Sequence, residues 1–247
     1  MGTKFTGIIP ARYGSIRFPG KPLALLRGTP MIIKVWERVK SCLDEVYIAT
    51  DNDEIRLVAE NAGANVIMTS AAHVSGTDRV CEAARLLFPG PGDHDRVIVN
   101  IQGDEPLIDH DSINDLCGAF TIKEVDIATL IHKIKRKEDL LNPNRVKVVT
   151  DESGNALYFS RAGIPHSNKD FDINSSVSYY QHIGTYAYRI EILKEISSLE
   201  TSMLEEAEKL EQLRWLVHGY KIRCIETNYD GFGVDTPEDL EALNRLT

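Results

Sequence analysis

Short apolar runs alternate with amphipathic stretches over the first part of the chain. Phe5–Pro10, Val46–Thr50, Asn65–Thr69, Arg96–Ile101 and Ile127–His132 have the length and residue types of strands. Between them, apolar positions at helical spacing predict helices near Met31–Cys42, Glu54–Ala62, Asp78–Phe88 and Ser112–Phe120. The run VIVNI (97–101) is apolar almost throughout instead of alternating, as a central parallel strand covered on both faces should be. Strands alternating with helices build βαβ units, so the pattern predicts a parallel sheet.

The period changes after residue 140. Val146–Thr150 and Ala156–Ser160 flank DESGN, the turn of a hairpin. A polar stretch, HSNKDFDINSS (166–176), precedes a further extended run, HIGTYAYR (182–189). Helical spacing returns near Ser202–His218, followed by strand Ile222–Thr227 and helix Pro237–Leu246. Thr236 suits the N-cap of that last helix and Pro237 its first turn. No internal repeat, low-complexity tract or linker interrupts the chain. Residues 1–247 read as one α/β domain, a mostly parallel sheet flanked by helices, with a β-rich antiparallel insert at about 140–190.

With 43% hydrophobic and 26% charged residues the chain can bury a sizeable core. Its formal net charge of −9 argues against a nucleic-acid or membrane-surface binder. A polyanionic ligand would need a local cationic pocket or a metal. Cys42, Cys81, Cys117 and Cys224 are far apart, in apolar contexts and without a C-x-x-C pair, so they read as buried free thiols in a reducing compartment. No run approaches the ~18 apolar residues of a membrane span. Arg12 interrupts the N-terminal apolar run before it could form a signal-peptide core, and the reading is cytoplasmic. The myristoylation-like start Met1–Thr6 competes with the first strand, and the sequon Asn174-Ser175-Ser176 means nothing without a secretory signal.

Candidate chemistry falls at the carboxyl ends of the expected strands, where parallel sheets bind ligands. PARYGSIRFPGK (10–21) nearly matches a P-loop, but Gly14 and Gly20 are one residue too far apart and Pro22 replaces the hydroxyl. Its glycine-loop amides with Arg12, Arg17 and Lys21 suit phosphate; the alternative is a solvated surface loop. In NIQGDEP (100–106), Asp104 is either a hard oxygen ligand for Mg²⁺ or a turn former before Pro106. In YDGFGVDTPED (229–239), Asp235 is either a second such ligand or a charge at a helix N-terminus. No G-x-G-x-x-G follows a strand, and neither H-E-x-x-H nor G-x-S-x-G occurs. Dinucleotide, zinc-hydrolase and serine-hydrolase readings therefore lack their signatures.

Taken in order, PARYGSIRFPGKPL, HVSGTDRV, VNIQGDEPLI, ALYFSRAGIP, QHIGTYAYR, LEQLRWL and GVDTPEDL resemble the 3-deoxy-manno-octulosonate cytidylyltransferases from the first strand to the last helix. The PARxGSxRxPGK loop marks a broader group of sugar nucleotidyltransferases; QGDEP, QHIGxYAYR and LEQLR make the match specific. The resemblance implies a Rossmann-like sheet of the nucleotide-diphospho-sugar transferase type. It also implies a Mg²⁺-dependent reaction, in which CTP and 3-deoxy-manno-octulosonate (Kdo) give CMP-Kdo and pyrophosphate for lipopolysaccharide biosynthesis. By the same resemblance Lys21, Arg12, Asp104 and Asp235 are catalytic, with the two aspartates on the metal. Arg12, Arg17 and Lys21 hold the triphosphate, and Ser75, Gly76 and Arg79 lie towards the cytidine. Gln102, Arg161, His182, Tyr186, Glu211 and Gln212 face the sugar, with Arg161 as a bidentate partner for its carboxylate.

Plainer roles stay open for several of these. Ser75 and Thr77 suit the cap of the helix from Asp78, Glu211 and Gln212 suit a solvent-facing helix, and His182 suits a hydrogen-bonded strand histidine. The resemblance further implies a homodimer, with the segment around 165–190 at its interface. Val177, Tyr179, Tyr180 and Ile183 are the apolar and aromatic positions available there. The competing functions are a cytidylyltransferase for another sugar acid (sialic acid or 8-amino-Kdo) and a non-catalytic nucleotide-sugar binding protein. The presence of Lys21, Asp104 and Asp235 stands against the second. A glycosyltransferase would carry D-x-D at the end of VIVNI, where QGDEP stands.

Overall fold

The computed structural model describes residues 2–14, 17–73, 75–90, 92, 95–167 and 177–246, the last of them by its backbone alone. The sequon, residues 168–176 of the polar stretch, Ser15 and Ile16 lie outside them. In chain order the elements begin with β1 (Lys4–Ala11), a small hairpin of β2 (Leu25–Leu26) and β3 (Thr29–Pro30), α1 (Met31–Val39) and β4 (Glu45–Thr50). Then come α2 (Asp53–Asn61), β5 (Asn65–Met68), α3 (Gly76–Leu87), β6 (Arg96–Asn100), α4 (His110–Gly118), β7 (Ile127–Lys133) and α5 (Lys137–Leu141). The last part holds β8 (Lys147–Thr150), β9 (Ala156–Ser160), β10 (Tyr180–Arg189), α6 (Ile190–Ile196), α7 (Met203–Glu208), α8 (Gln212–Val217), β11 (Ile222–Glu226) and α9 (Pro237–Leu246).

The main sheet runs β11-β7-β10-β6-β1-β4-β5. β1 pairs in parallel with β4 and β6, β4 with β5, and β7 with β11; β10 alone runs antiparallel to its neighbours β6 and β7. From β1 the chain first builds outward through β4 and β5, then returns to add β6 on the other side. That reversal opens a crevice beyond the carboxyl ends of β1 and β6, the usual ligand position in such sheets. All five residues of β6 are buried, as its unbroken apolar run required.

One apolar layer lies on the α1, α2 and α4 side of the sheet, and a second under α3, α6 and α8. Both are closed by residues of β10, whose Ala187 and Tyr188 are fully buried on opposite faces. The antiparallel stretch is therefore no appendage. The β8–β9 hairpin joins the first residues of β10, while Tyr186–Arg189 enters the sheet centre between β6 and β7.

Three local expectations change. The helix expected over Ser202–His218 is two helices, because Lys209 takes a left-handed conformation (φ 54°) after a capping box of Ser202 and Glu205 has started the first. α5 and α6 were not legible as helices, being one to two turns long. Tyr179 and Ile183, offered as interface residues, are instead buried in this chain's own core, Tyr179 with Ile134 and Leu140 and Ile183 in the first apolar layer. Period-2 alternation cannot tell an intramolecular core face from an intermolecular one.

All four cysteines are free thiols. Burial pushes those of Cys117 and Cys224 up to about 12. Among the described residues no helix is long and apolar enough to cross a membrane.

Candidate active site

Three loops converge on the β1–β6 crevice. The loop after β1 is closed by the Gly20 amide, which donates to the Tyr13 carbonyl at 3.0 Å. Gly20 sits at φ 71°, a conformation that costs glycine little, and this turn starts the short 3₁₀ helix Lys21–Leu23. Lys21 is thereby set against the end of β1 although it follows Ala11 by ten residues (21 − 11). After β6, Gly103 packs so closely that a Cβ there would come within 2.9 Å of the Pro10 carbonyl oxygen. The third loop precedes α9 and is tied to the second by the Val234 amide, which donates to the Asp104 carbonyl at 2.8 Å.

These contacts bring together side chains from the beginning, middle and end of the sequence. Lys21 Nζ lies 2.6 Å from Asp104 Oδ2 and 3.5 Å from Asp235 Oδ1, and Arg17 Nη2 lies 3.0 Å from Asp235 Oδ1. Thr236 caps α9 and Asp239 accepts the Asp235 and Thr236 amides (3.0 and 2.9 Å), so the helix start is satisfied without the Asp235 carboxylate. Asp235 is left facing the cations.

They border an open cavity of about 470 Å³. Among the described residues its walls include Arg12, Arg17 and Lys21 from the first loop, Ser75, Gly76 and Arg79 from α3 and its cap, Gln102, Gly103 and Asp104 after β6, and Asp235. Every expected nucleotide and metal residue is thus on one cavity. Arg79 is a special case: it is buried, donates to Thr69 Oγ1 (2.6 Å) and Asp51 Oδ2 (2.8 Å), and so ties α3 to the ends of β4 and β5 as well. Ser75 is indeed the N-cap of α3, its Oγ accepting the Asp78 amide at 3.1 Å. Capping and cavity lining coexist in that residue.

The expected sugar residues are more scattered. Gln102 lines the cavity and donates from Nε2 to the Gly184 carbonyl at 2.9 Å. That carbonyl is available because β10 carries a bulge between Ile183 and Tyr186. His182, Tyr186, Glu211 and Gln212 are not on its walls: His182 and Tyr186 belong to β10, and Glu211 and Gln212 to the start of α8. His182 Nε2 meets Thr129 Oγ1 at 3.0 Å, its ring stands edge-on to Phe159 at 5.0 Å, and desolvation pushes its imidazole down to about 3. It is neutral at working pH. Tyr186 packs against Trp215 and Tyr188.

Arg161 is set apart. Its Nε donates to the Glu208 carbonyl (2.8 Å), Nη1 to the Pro143 carbonyl (3.1 Å) and Nη2 to the Lys209 carbonyl (3.4 Å), so the planar fork closes the end of α7. Arg161→Lys keeps the charge but cannot reach three carbonyls at once. Its expected result is a loss of about 1–2 kcal/mol in unfolding free energy, read by denaturant titration. A rise in the Kdo KM without that loss would show the arginine acting on the sugar carboxylate directly.

Sequence reasoning passed over Asp51 and His73. Asp51 directly follows β4, the same placement that singled out Asp104 after β6. His73 opens the HVSGTDR motif, lines the cavity and is held by Glu82 at 2.5 Å.

A crevice at the strand-order reversal, lined by a cationic glycine loop and paired carboxylates, defines a nucleotidyl transferase. The family model described as cytidylyltransferase matches residues 6–222, and the chain belongs to that family. It is 48% identical to a 3-deoxy-manno-octulosonate cytidylyltransferase of Thermodesulfovibrio yellowstonii and 49% identical to one of Parabacteroides distasonis, with 96% of each chain covered in both cases. A solved structure of CMP:2-keto-3-deoxy-manno-octonic acid synthetase complexed with CTP superposes with a TM-score of 0.89 at 39% identity, covering 98% of both chains. Within the cytidylyltransferases, the chain belongs to the 3-deoxy-manno-octulosonate branch.

Proposed function

We propose that this chain transfers the cytidylyl group of CTP to Kdo, giving CMP-Kdo and pyrophosphate. The observation that carries the reading is the meeting of Lys21, Asp104 and Asp235 on the wall of one cavity of about 470 Å³, in a chain of this family. The anomeric hydroxyl oxygen of Kdo forms a bond to the α-phosphorus, the bond to the β-phosphate oxygen breaks, and the hydroxyl proton is lost. Such a transfer asks the protein chiefly for alignment and charge neutralisation. Arg12, Arg17 and Lys21 line the cavity where the triphosphate would lie, and the loop amides add donors.

The carboxylates of Asp104 and Asp235 fit Mg²⁺. They are hard oxygen donors, and they already hold a cation, the Lys21 ammonium, between them. When bound there, Mg²⁺ neutralises triphosphate charge and lowers the pKa of a hydroxyl it touches. Loops after β1, after β6 and before α9 hold these side chains in register before substrate arrives, so little reorganisation is left for the reaction.

On the sugar side, Gln102, Tyr186, His182, Glu211 and Gln212 supply polar atoms next to the cavity. The reading extends to a cytoplasmic homodimer in lipopolysaccharide assembly: four free thiols suit a reducing compartment, and Val177 remains exposed for contact with a second copy. Pyrophosphate release measured over a panel of nucleotides and sugar acids tests the reaction. CTP with Kdo is expected to exceed every other pair by about tenfold or more, roughly the discrimination of one or two hydrogen bonds. Faster turnover with a sialic acid or 8-amino-Kdo would reassign the sugar, and no turnover with any pair would leave a binding protein.

A further inference from the structure

The first turn of α3 has two working sides. Gly76 and Arg79 face the nucleotide cavity, while two hydroxyls of the same turn reach the other way, to Glu211 just before α8. Thr77 Oγ1 donates to Glu211 Oε2 at 2.7 Å and Ser75 Oγ to Glu211 Oε1 at 3.3 Å, so each carboxyl oxygen has its own hydroxyl. The nearby guanidinium of Arg214 is engaged bidentately by Glu205 (2.8 and 2.7 Å) and comes only within 3.8 Å of Glu211. The hydroxyls are therefore the groups that fix the carboxyl's rotation. Burial also pushes the Glu211 carboxyl above its usual range, a sign of how far it is withdrawn from water.

Poorly satisfied polar atoms lie on the same face of the sheet. Asn100 Oδ1, Tyr186 Oη and Tyr188 Oη are buried and make no hydrogen bond of good geometry, although Tyr188 stands near Asn100 and Thr77 and Tyr186 near Thr129. Asn100 and Tyr186 are register partners on β6 and β10, and Tyr186 and Tyr188 stack with ring centroids 5.7 Å apart. Poorly satisfied buried polar atoms are costly in a folded chain, and several together beside an oriented carboxyl suit a polyhydroxylated ligand.

We infer that Thr77 is a positioning residue for the sugar side of the reaction: it orients Glu211 from the side of α3 turned away from the nucleotide cavity. This rests on the proposed role of Glu211 towards Kdo. Thr77 itself touches neither substrate. Its methyl and hydroxyl are both buried, so the valine isostere removes the donor without opening a cavity, and serine keeps the donor.

The test is steady-state kinetics of Thr77→Val, Thr77→Ser and Glu211→Gln, alone and with Thr77→Val combined with Glu211→Gln. Thr77→Val is expected to raise the Kdo KM about tenfold, the loss of one hydrogen bond to a buried carboxyl, with the CTP KM changed less than about twofold. Thr77→Ser should restore the wild-type Kdo KM. The double variant should be little worse than Glu211→Gln, since both act through one carboxyl. Equal rises in both KM values, or a serine variant as damaged as the valine one, would overturn the inference in favour of a purely structural threonine. If Glu211→Gln raises the Kdo KM and Thr77→Val does not, the inference alone falls. If Glu211→Gln leaves it unchanged, the sugar role of Glu211 falls as well.

Discussion

Asp104→Asn and Asp235→Asn are each expected to lower turnover by about 10²–10³-fold, the scale on which one preorganised electrostatic contact acts in a transition state. The double variant should be little worse than the more damaged single, because the two carboxylates serve one cation. Both singles should also need far more Mg²⁺, each having lost an anionic oxygen. The competing account makes Asp235 a charge at the start of α9. It predicts near-normal turnover and a stability loss of about 0.3–1 kcal/mol. The structure weakens that account before any experiment, since Thr236 and Asp239 already satisfy the helix start and the Asp235 carboxylate points to Arg17 and Lys21. Turnover titrated against Mg²⁺ for the three variants, with their melting temperatures, separates the accounts. A destabilised but fully active Asp235→Asn enzyme would end the shared-cation reading.

The second large effect is at Lys21. Lys21→Ala should lower turnover by about 10²-fold or more, through loss of one charge-assisted phosphate contact. The same substitution should act oppositely on the metal by itself. With Nζ at 2.6 Å from Asp104 and 3.5 Å from Asp235, the ammonium occupies the space a divalent ion would take. Removing it leaves Asp104 without its counter-charge and Asp235 with Arg17 alone, so Mn²⁺ without nucleotide should bind the alanine variant more tightly than the wild type. Electron paramagnetic resonance of free Mn²⁺ reads this directly, independently of catalysis. Weaker Mn²⁺ binding in the variant would show that Lys21 organises the carboxylates and does not compete for them. Wild-type turnover would remove Lys21 from the reaction.

Much of the scaffold was legible because its signals are local. The unbroken apolar run of VIVNI required a strand covered on both faces, and β6 is buried along its length. Thr236-Pro237 fixed the start of α9, because an N-cap hydroxyl and a proline without an amide suit only that point of a helix. The charged loops after β1 and β6 marked the edge of the sheet at which the cavity lies, since a parallel sheet presents its strand ends and helix starts together.

Local pattern could not place β10. Its run alternates like a half-exposed hairpin strand, yet its second half completes the sheet centre, because the gap between β6 and β7 exists only once both have been laid down. For the same reason Tyr179 and Ile183 read as interface residues: hydrophobicity says that a side chain leaves water, not which surface receives it. Arg161 shows the limit for charged groups. Its guanidinium suits a carboxylate or a set of carbonyls equally well, and only the left-handed turn at Lys209, which presents the end of α7, selects the carbonyls. The sequence by itself determined the longer elements and marked the edge of the sheet where the cavity lies. The tertiary structure decided which distant carboxylates share a cation and which hydroxyls orient Glu211, because those pairings depend on distances between segments 83 or more residues apart, which no local spacing encodes.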